Sequence, residues 1–568
     1  MTASNDSIKH KIKKGLVLSK SYLSLKNNLL KISGLYRKMG TPDACTVSVM
    51  CLGDDESIKS RLMESVKKAG TRYKYEFVTS LDEATGDFLL FLNSVDYVHT
   101  GWIDFLAKPL IKDETIGITG GVSYYSINSD KELSYKTLYA GVKPTPFASD
   151  FNGLINKLED SELAGINPSS DAVQMSIPSY NIVMLRKSWF DALTGFYPYY
   201  ENIWNYAISD LCKLSELKGK RNLLCPACLV SAVDLKPKYK MVMEKGAIFA
   251  GRWRETPDPS KLDPKEIDIC GSMPFRKGGE FWGDFHYANS LKKAFEKLGY
   301  KANVLFIDDW NKESTAKNVI VLRGRRPYFR SAAPDGKMLI FWAISHPADI
   351  DPMELNQADH VFFASELMKS KFEAKLSVPC GVLMQCTDPE VMSLSDNSEA
   401  LTSKHSPELL FVGNSRHIFR TILKDILPTD HELHVYGRHW EDFPEVKKHV
   451  VAEYIPNDEV GRAYHDAAIL LNDHWDDMRE YGIISNRIFD ALTAGAFIIS
   501  DDVPGIKEAF EGTVITYTDR EDLAKKADYY LEHLDERDAL AKKGKELIAQ
   551  KHTFDARAID LMRIIEQY

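Results

Sequence analysis

No run of eighteen or more apolar residues occurs in the 568-residue chain, so no segment predicts a membrane-spanning helix. The amino terminus also lacks the charged-then-apolar order of a secretory leader. Cysteine is scarce: eight residues, at 45, 51, 212, 225, 228, 270, 380 and 386, scattered as free thiols of a reducing cytoplasm would be. Cys225-Pro-Ala-Cys228 is the single CxxC. Zinc needs four ligands, and no second pair or histidine cluster completes a set. The pair predicts two core thiols and no metal. Short-period repeats and low-complexity tracts are missing too, which excludes a solenoid.

The charge is unevenly placed. The chain carries a net charge of −9, yet residues 1–40 hold eight lysines and one arginine against Asp6 alone. That is +8 in the segment and about −17 in the remainder. An acidic body would repel nucleic acid. Ile8, Ile12, Leu16, Leu23, Leu30 and Ile32 fall among the lysines at loosely helical spacing. Such a segment can lie on an anionic membrane surface, each lysine adding about 1 kcal/mol, or it can be a solvated or protein-docking helix. The expected location is cytoplasmic, with 1–40 as a candidate anchor at the inner membrane face.

The remainder is built for packing: 44% of the chain is hydrophobic, enough for three or four cores. From 45 to about 235 strand and helix patterns alternate. "TVSVMCLG" precedes the helix "ESIKSRLMESVKKAG", then come "YKYEFVTS" and the wholly apolar "DFLLFLNS". This predicts a mostly parallel, doubly wound sheet. Residues 240–264 turn charge- and proline-rich and predict a linker. Alternation resumes at "EIDICGSMPF" and again at "SPELLFVGN", and the chain from Asp519 to Tyr568 reads as helix. The expected division is 1–40, a basic amphipathic segment; 41–239, a first module; 240–264, a linker; 265–400 and 401–535, two Rossmann-like halves; and 536–568, C-terminal helices. Ligands of such α/β sheets lie beyond the carboxyl ends of the strands.

"MREYGIISNRIFDALTAGAFIIS" (478–500) sets two arginines and two acids ahead of a buried strand. A guanidinium there can fork onto phosphate oxygens, a helix N-terminus can hold them, and an acid can accept ribose hydroxyls. This stretch resembles the donor segment of group 1 glycosyltransferases, retaining enzymes of the two-halved GT-B fold that include a spore-maturation-like sub-group. The resemblance places Glu480, Ser485, Asn486, Arg487 and Asp490 at a nucleotide-sugar donor. Asp490 stands for the second Glu of the family's E-x7-E pair; the first falls at Gly482, with Glu480 as a nearby substitute. "LLFVGNSRHIFR" (409–420) resembles the family's strand–Gly–basic turn. It implies that Gly413 and Asn414 face the donor and that Arg416, then Arg420, meets the leaving diphosphate. "VYGR" (435–438) and "EYIP" (453–456) would face the base.

"PFRKGGEFWGDFH" (274–286) resembles the acceptor-side loop, implying roles for Gly278, Gly279 and His286. Asp284 is either a helix cap or a functional acid. His346 in "FWAISHPADI" ends an apolar strand, where group 1 enzymes have a histidine on the donor sugar. The implied catalytic set is therefore His346, Asp284 and Arg487, acting without metal and with retained anomeric configuration. The implied activity is sugar transfer from a nucleotide donor to a growing glycan or glycolipid, lipid-linked or free.

Residues 85–106, 116–121 and 179–196 resemble a GT-A glycosyltransferase of the family-two type. Its metal Asp falls on Val95, with Asp96 one place out of register. Ala207 and Ile208 occupy its acidic pair, and Asp234 its late histidine. A base and a metal are what an inverting transfer needs, so this module is expected to be non-catalytic. Two alternatives stay open: a bifunctional polymerase using Asp96, Asp210 or Asp234 with a divalent metal, or a scaffold of a glycan-assembly complex.

Overall fold

The computed structural model describes residues 27–40, 44–129, 132–149, 153–162, 169–200, 203–233, 239–274, 276–279, 282–392 and 407–568. They form two compact units, Met1–Trp253 and Arg254–Tyr568.

In the first unit the strand Phe88–Asn93 is buried at every position. Thr46–Leu52 pairs parallel with it and with Lys74–Val78. Beyond that the sheet departs from the expected parallel winding. Ile182–Arg186 runs antiparallel between Phe88–Asn93 and Ile116–Ser129, and Val95–Val98 runs antiparallel to Arg221–Ala232. A parallel return needs a crossover, usually helical. Here the chain between 129 and 182 instead adds Glu132–Ser149 and Gly153–Glu162 as antiparallel strands. The sheet is mixed.

Two segments differ from their sequence reading. The expected linker 240–264 begins inside the helix Tyr239–Arg252. Ile248, Phe249 and Ala250 are buried, and Phe249 packs on the rings of Tyr200 and Tyr206. Only the stretch after it is irregular. Of the basic segment, residues 1–26 lie outside the described residues, while 27–37 are helical. Ile32, 1% exposed, joins Val122, Tyr124, Leu224 and Leu229 in a small core. Arg72 ties the helix end down through the carbonyls of Tyr36 and Gly40, both accepting from its guanidinium. The described part of the segment docks on its own unit.

The second unit contains two six-stranded parallel sheets. The first runs Lys301–Leu305, Asp263–Cys270, Ala316–Arg323, Met338–Ala343, His360–Phe363, Cys380–Val382. The second runs Val450–Ala452, Leu433–Tyr436, Leu409–Val412, Ile469–Asn472, Ile498–Asp501, Val514–Tyr517. Strands covered on both faces read as unbroken apolar runs, and Met338–Ala343 and Ile469–Asn472 are buried throughout. The helix Leu534–Lys551 adds Leu547 and Ile548 to a core of the second half. The helix Phe554–Ile565 crosses back: Phe554, Ala558, Leu561 and Ile565 complete the core of the first half beside Tyr287 and Trp342.

Strand order reverses once in each sheet. In the first, the reversal opens a crevice between the ends of Asp263–Cys270 and Ala316–Arg323. In the second, it lies between the ends of Leu409–Val412 and Ile469–Asn472. Such switch points are where open α/β sheets bind ligands.

The first crevice is fixed from below by a buried ion pair. Arg323 and Glu354, each 1% exposed, meet through Nε to Oε1 at 2.8 Å and Nη2 to Oε2 at 2.9 Å. Glu354 also accepts the Tyr328 N–H at 3.0 Å. Removing one partner strands the other charge in the core. Glu354→Ala is therefore expected to lower unfolding free energy by about 3–5 kcal/mol, read as a shift of the urea midpoint.

Candidate active site

Two loops leave the second half's switch point. Gly413 to His417 follows the strand Leu409–Val412, and Asp473 to Trp475 follows Ile469–Asn472. The first loop is braced by its neighbour: Gly413 N–H donates to Tyr436 O at 2.8 Å, and Ser415 N–H to Arg438 O at 3.0 Å. Asn414 Oδ1 accepts the Arg438 N–H at 2.7 Å, so its side chain sets the loop rather than waiting for a donor. Gly437 makes the approach possible. Its φ is 143°, and a Cβ there would stand 2.1 Å from Gly413 O.

The bracing holds Arg416 and His417 in left-handed backbone, φ 51° and 64°, and His346 across the cleft has φ 51°. Non-glycine residues pay about 1–3 kcal/mol there and persist where the surroundings over-determine them, typically at functional sites.

The five arginines of the region divide sharply. Arg420 is 5% exposed and forks onto Asp473, Nε to Oδ2 at 3.1 Å and Nη2 to Oδ1, while its guanidinium lies 4.1 Å from the Trp475 ring centre. Arg487 Nη1 donates to Asn472 Oδ1 at 2.6 Å. Arg479 joins Asp501 and Asp476. Only Arg416 and Arg325 make no hydrogen bond or ion pair among the described residues. Arg416 rests 5.0 Å over Trp475. Burial, then the charges of Arg420 and Arg325, lower its pKa, partly offset by Asp284 and Asp477.

The first half brings Asp284, Ser272, Gly324 and Ser345 to its own crevice. Asp284 lies in the first turn of the helix Gly283–Lys297 and accepts no hydrogen bond among the described residues. Burial pushes its carboxyl above the usual range, with Arg416 pulling the other way. A Cβ on Gly324 would meet Ser345 Oγ at 3.2 Å, Ser272 Oγ at 3.5 Å and Asp284 Oδ2 at 3.7 Å. Ser272 Oγ is buried without a partner. His346 Nδ1 sits 3.1 Å from Ser345 Oγ, and burial and Arg416 lower its pKa. Asp284, His346 and Arg416 therefore share one electrostatic neighbourhood, drawn from both halves.

Other expected residues have different employment. Glu480 is exposed and pairs with Lys371 at 3.0 Å. Gly482, where the missing acid would stand, has φ 66° and is hemmed by Leu367 and Pro504. Gly278, also left-handed at φ 96°, precedes Gly279, which is needed where a Cβ would strike the Phe306 ring at 2.7 Å. His286 stands against Phe285. Ser485 donates its N–H to His474 Nε2 at 2.9 Å, and His474 Nδ1 meets Asp501 at 2.6 Å. This buried His474–Asp501 pair pins the loop that leads into the helix Asn486–Ala494 and was not anticipated.

Asp490 is held by Thr387 Oγ1 at 2.7 Å and Asn486 Nδ2 at 2.8 Å. Arginines and acids thus crowd this segment because most of them brace the crevice, leaving Arg416 free.

Residues 415–563 match the family model described as glycosyl transferase-like. The match lies within the second unit, over most of its second half. Solved structures that the chain resembles share little sequence with it. Sucrose-phosphate synthase of Thermosynechococcus elongatus is 12% identical at TM-score 0.41, over 53% of this chain and 98% of that one. AviGT4, from avilamycin A biosynthesis, is 12% identical at 0.39, over 53% and 97%. HepE of Anabaena, solved with UDP and glucose, is 11% identical at 0.39, over 53% and 100%. No curated protein sequence matches the chain.

The first unit has its own switch-point cavity of about 360 Å³, reached by Gly53, Asp54, Asn93, Ser94, Trp204 and Asn205. Two of the three acids considered as replacement metal ligands have protein partners. Asp96 Oδ2 pairs with Arg61 at 3.3 Å while its Oδ1 is buried with no hydrogen bond among the described residues, and Asp210 accepts from Arg252 and Trp253. Asp234 lies outside the described residues. Among the described residues no group of three or more His, Cys, Asp or Glu could hold a metal, and no helix is long and apolar enough to cross a membrane. Cys225 and Cys228 are buried, free thiols.

Burial raises the Asp490 carboxyl to about 7, against the hydrogen bonds from Thr387 and Asn486. A group whose folded pKa exceeds its unfolded value, about 3.9, stabilises the fold at low pH, and the contribution is lost as pH rises through the folded pKa. Stability should therefore decline between pH ~4 and ~7, by at most about 1.4 kcal/mol per unit. Asp490→Asn should flatten that slope in urea unfolding measured across pH.

Proposed function

We propose that the chain moves a sugar from a nucleotide-sugar donor to a hydroxyl of a growing glycan or glycolipid, in the cleft between the two halves of the second unit. The observation that carries the reading is Arg416: an unpaired guanidinium, held in strained backbone at a switch point, beside Asp284 and His346. Charge grows on the diphosphate as the glycosidic bond breaks, and a preorganised cation lowers that barrier without a metal. Asp490 and the loop 485–487 take the ribose side of the donor, and His346 the sugar.

The first unit serves as a non-catalytic module in this reading, since Asp96 and Asp210 are committed to ion pairs. The resemblance to group 1 enzymes implies retention at the anomeric carbon. Asp284 favours a second course. An unpaired carboxylate with a raised pKa beside Ser272 and Ser345 is placed to take the acceptor's proton, and direct displacement would then invert the configuration.

Arg416→Ala should lose about 2–4 kcal/mol of transition-state stabilisation, roughly a hundredfold or more in turnover, with an unchanged thermal midpoint. Release of free sugar from a panel of UDP-, GDP- and dTDP-hexoses measures it. A variant that keeps a third of wild-type turnover removes Arg416 from the mechanism. Proton NMR in the first minutes of that hydrolysis, before mutarotation, tells retention from inversion. Asp284→Asn should abolish turnover if the inverted anomer appears first.

A further inference from the structure

We propose that Arg325 is the second cation of the diphosphate site, a guanidinium of the first half that reaches the donor held by the second half. The proposal rests on the reading of the cleft as a nucleotide-sugar site.

A sugar nucleotide brings two negative charges on its diphosphate, and the departing nucleoside diphosphate gains another. Of the arginines around the cleft, Arg420 is spent on Asp473, Arg479 on Asp501 and Asp476, and Arg487 on Asn472. Of these five, Arg416 and Arg325 remain, two guanidiniums for the two charges of the diphosphate.

Arg325 is exposed and directly follows Gly324 at the carboxyl end of the strand Ala316–Arg323, the switch point of the first sheet. The residue two before it, Arg323, is immobilised by Glu354, so the side chain projects from a rigid base. Its charge is felt at Arg416 and at His346, which sets it in the same neighbourhood although it comes from the other half. Two unpaired guanidiniums that repel one another make a poor resting arrangement and a good anion clamp. An anion between them replaces repulsion with two attractions. Because the cations belong to different halves, such an anion also links the halves.

An acidic group on the acceptor could meet the same chemistry, and the test separates the two sources by using nucleotide alone. Calorimetry on the full chain with UDP, GDP and dTDP should find at least one that binds. For that nucleotide, Arg325→Ala should weaken binding ten- to a hundredfold and make its salt dependence shallower. Arg325→Lys should be intermediate, while Arg563→Ala, a charge removed from the exposed face of the last helix, should change nothing. Hydrogen exchange should show peptides spanning 320–330 protected by the nucleotide in the wild type and unprotected in Arg325→Ala. Equal affinity and equal protection in wild type and Arg325→Ala would overturn the proposal, as would a defect confined to acceptor use. If wild-type protein binds none of the three nucleotides, the donor reading itself falls and the proposal with it. Binding by the wild type with no loss in Arg325→Ala removes only Arg325.

Discussion

The ion pair between Arg420 and Asp473 is the contact on which the cleft depends. It joins the two loops that leave the second half's switch point, so neither can shift without the other. Both side chains are almost sealed from water, where desolvation is costly and one partner without the other is costlier. The pair is neutral in sum. It presses a guanidinium onto the Trp475 face and leaves the neighbouring Arg416 to share that ring with its charge unspent. An arginine that looks available in the sequence thus makes another one available in the structure.

The same division recurs across the cleft. Arg323 is consumed by Glu354 so that the chain carrying Gly324 and Arg325 has a fixed root. His474 is consumed by Asp501 so that Ser485 has a fixed acceptor. Burial works to raise the Asp501 carboxyl, yet hydrogen bonds from His474 and the charges of His474 and Arg479 hold it below the usual range. Each crevice therefore has a rigid, charge-balanced floor and an unbalanced rim made of Arg416, Arg325 and Asp284. Strain sits on the rim as well, at His346, Arg416 and His417.

Much of the second unit's architecture was legible in the sequence. Parallel strands buried on both faces must be continuous apolar runs, and "LLFV", "ILLN" and "MLIFWA" are. The antiparallel strands of the first unit were not, because an apolar run does not announce its direction. The helix Tyr239–Arg252 was hidden by the prolines after it, although Phe249 marks its buried face. Among the expected site residues, the positions of Arg416 and Asp284 at strand and helix ends could be read from their register. The engagement of Arg420 could not, since its partner lies 53 residues on. Arg325 stands in "RGRR", and only sheet order puts it at a switch point. Gly482 was the one warning of a broken motif, and its left-handed backbone gives the reason.

The last helix has a bearing on how the chain is made. Phe554, Ala558, Leu561 and Ile565 belong to the core of the first half, and the crossing is stitched by Thr387, whose N–H donates to His552 O and whose carbonyl accepts from Phe554 N–H. During synthesis the strands of the first half emerge long before those residues exist. Domains that are contiguous in sequence fold as they leave the ribosome, amino-terminal first, but this half must wait with an open apolar groove while the whole of the second half is translated. The two halves consequently mature together, once the helix Phe554–Ile565 has been made.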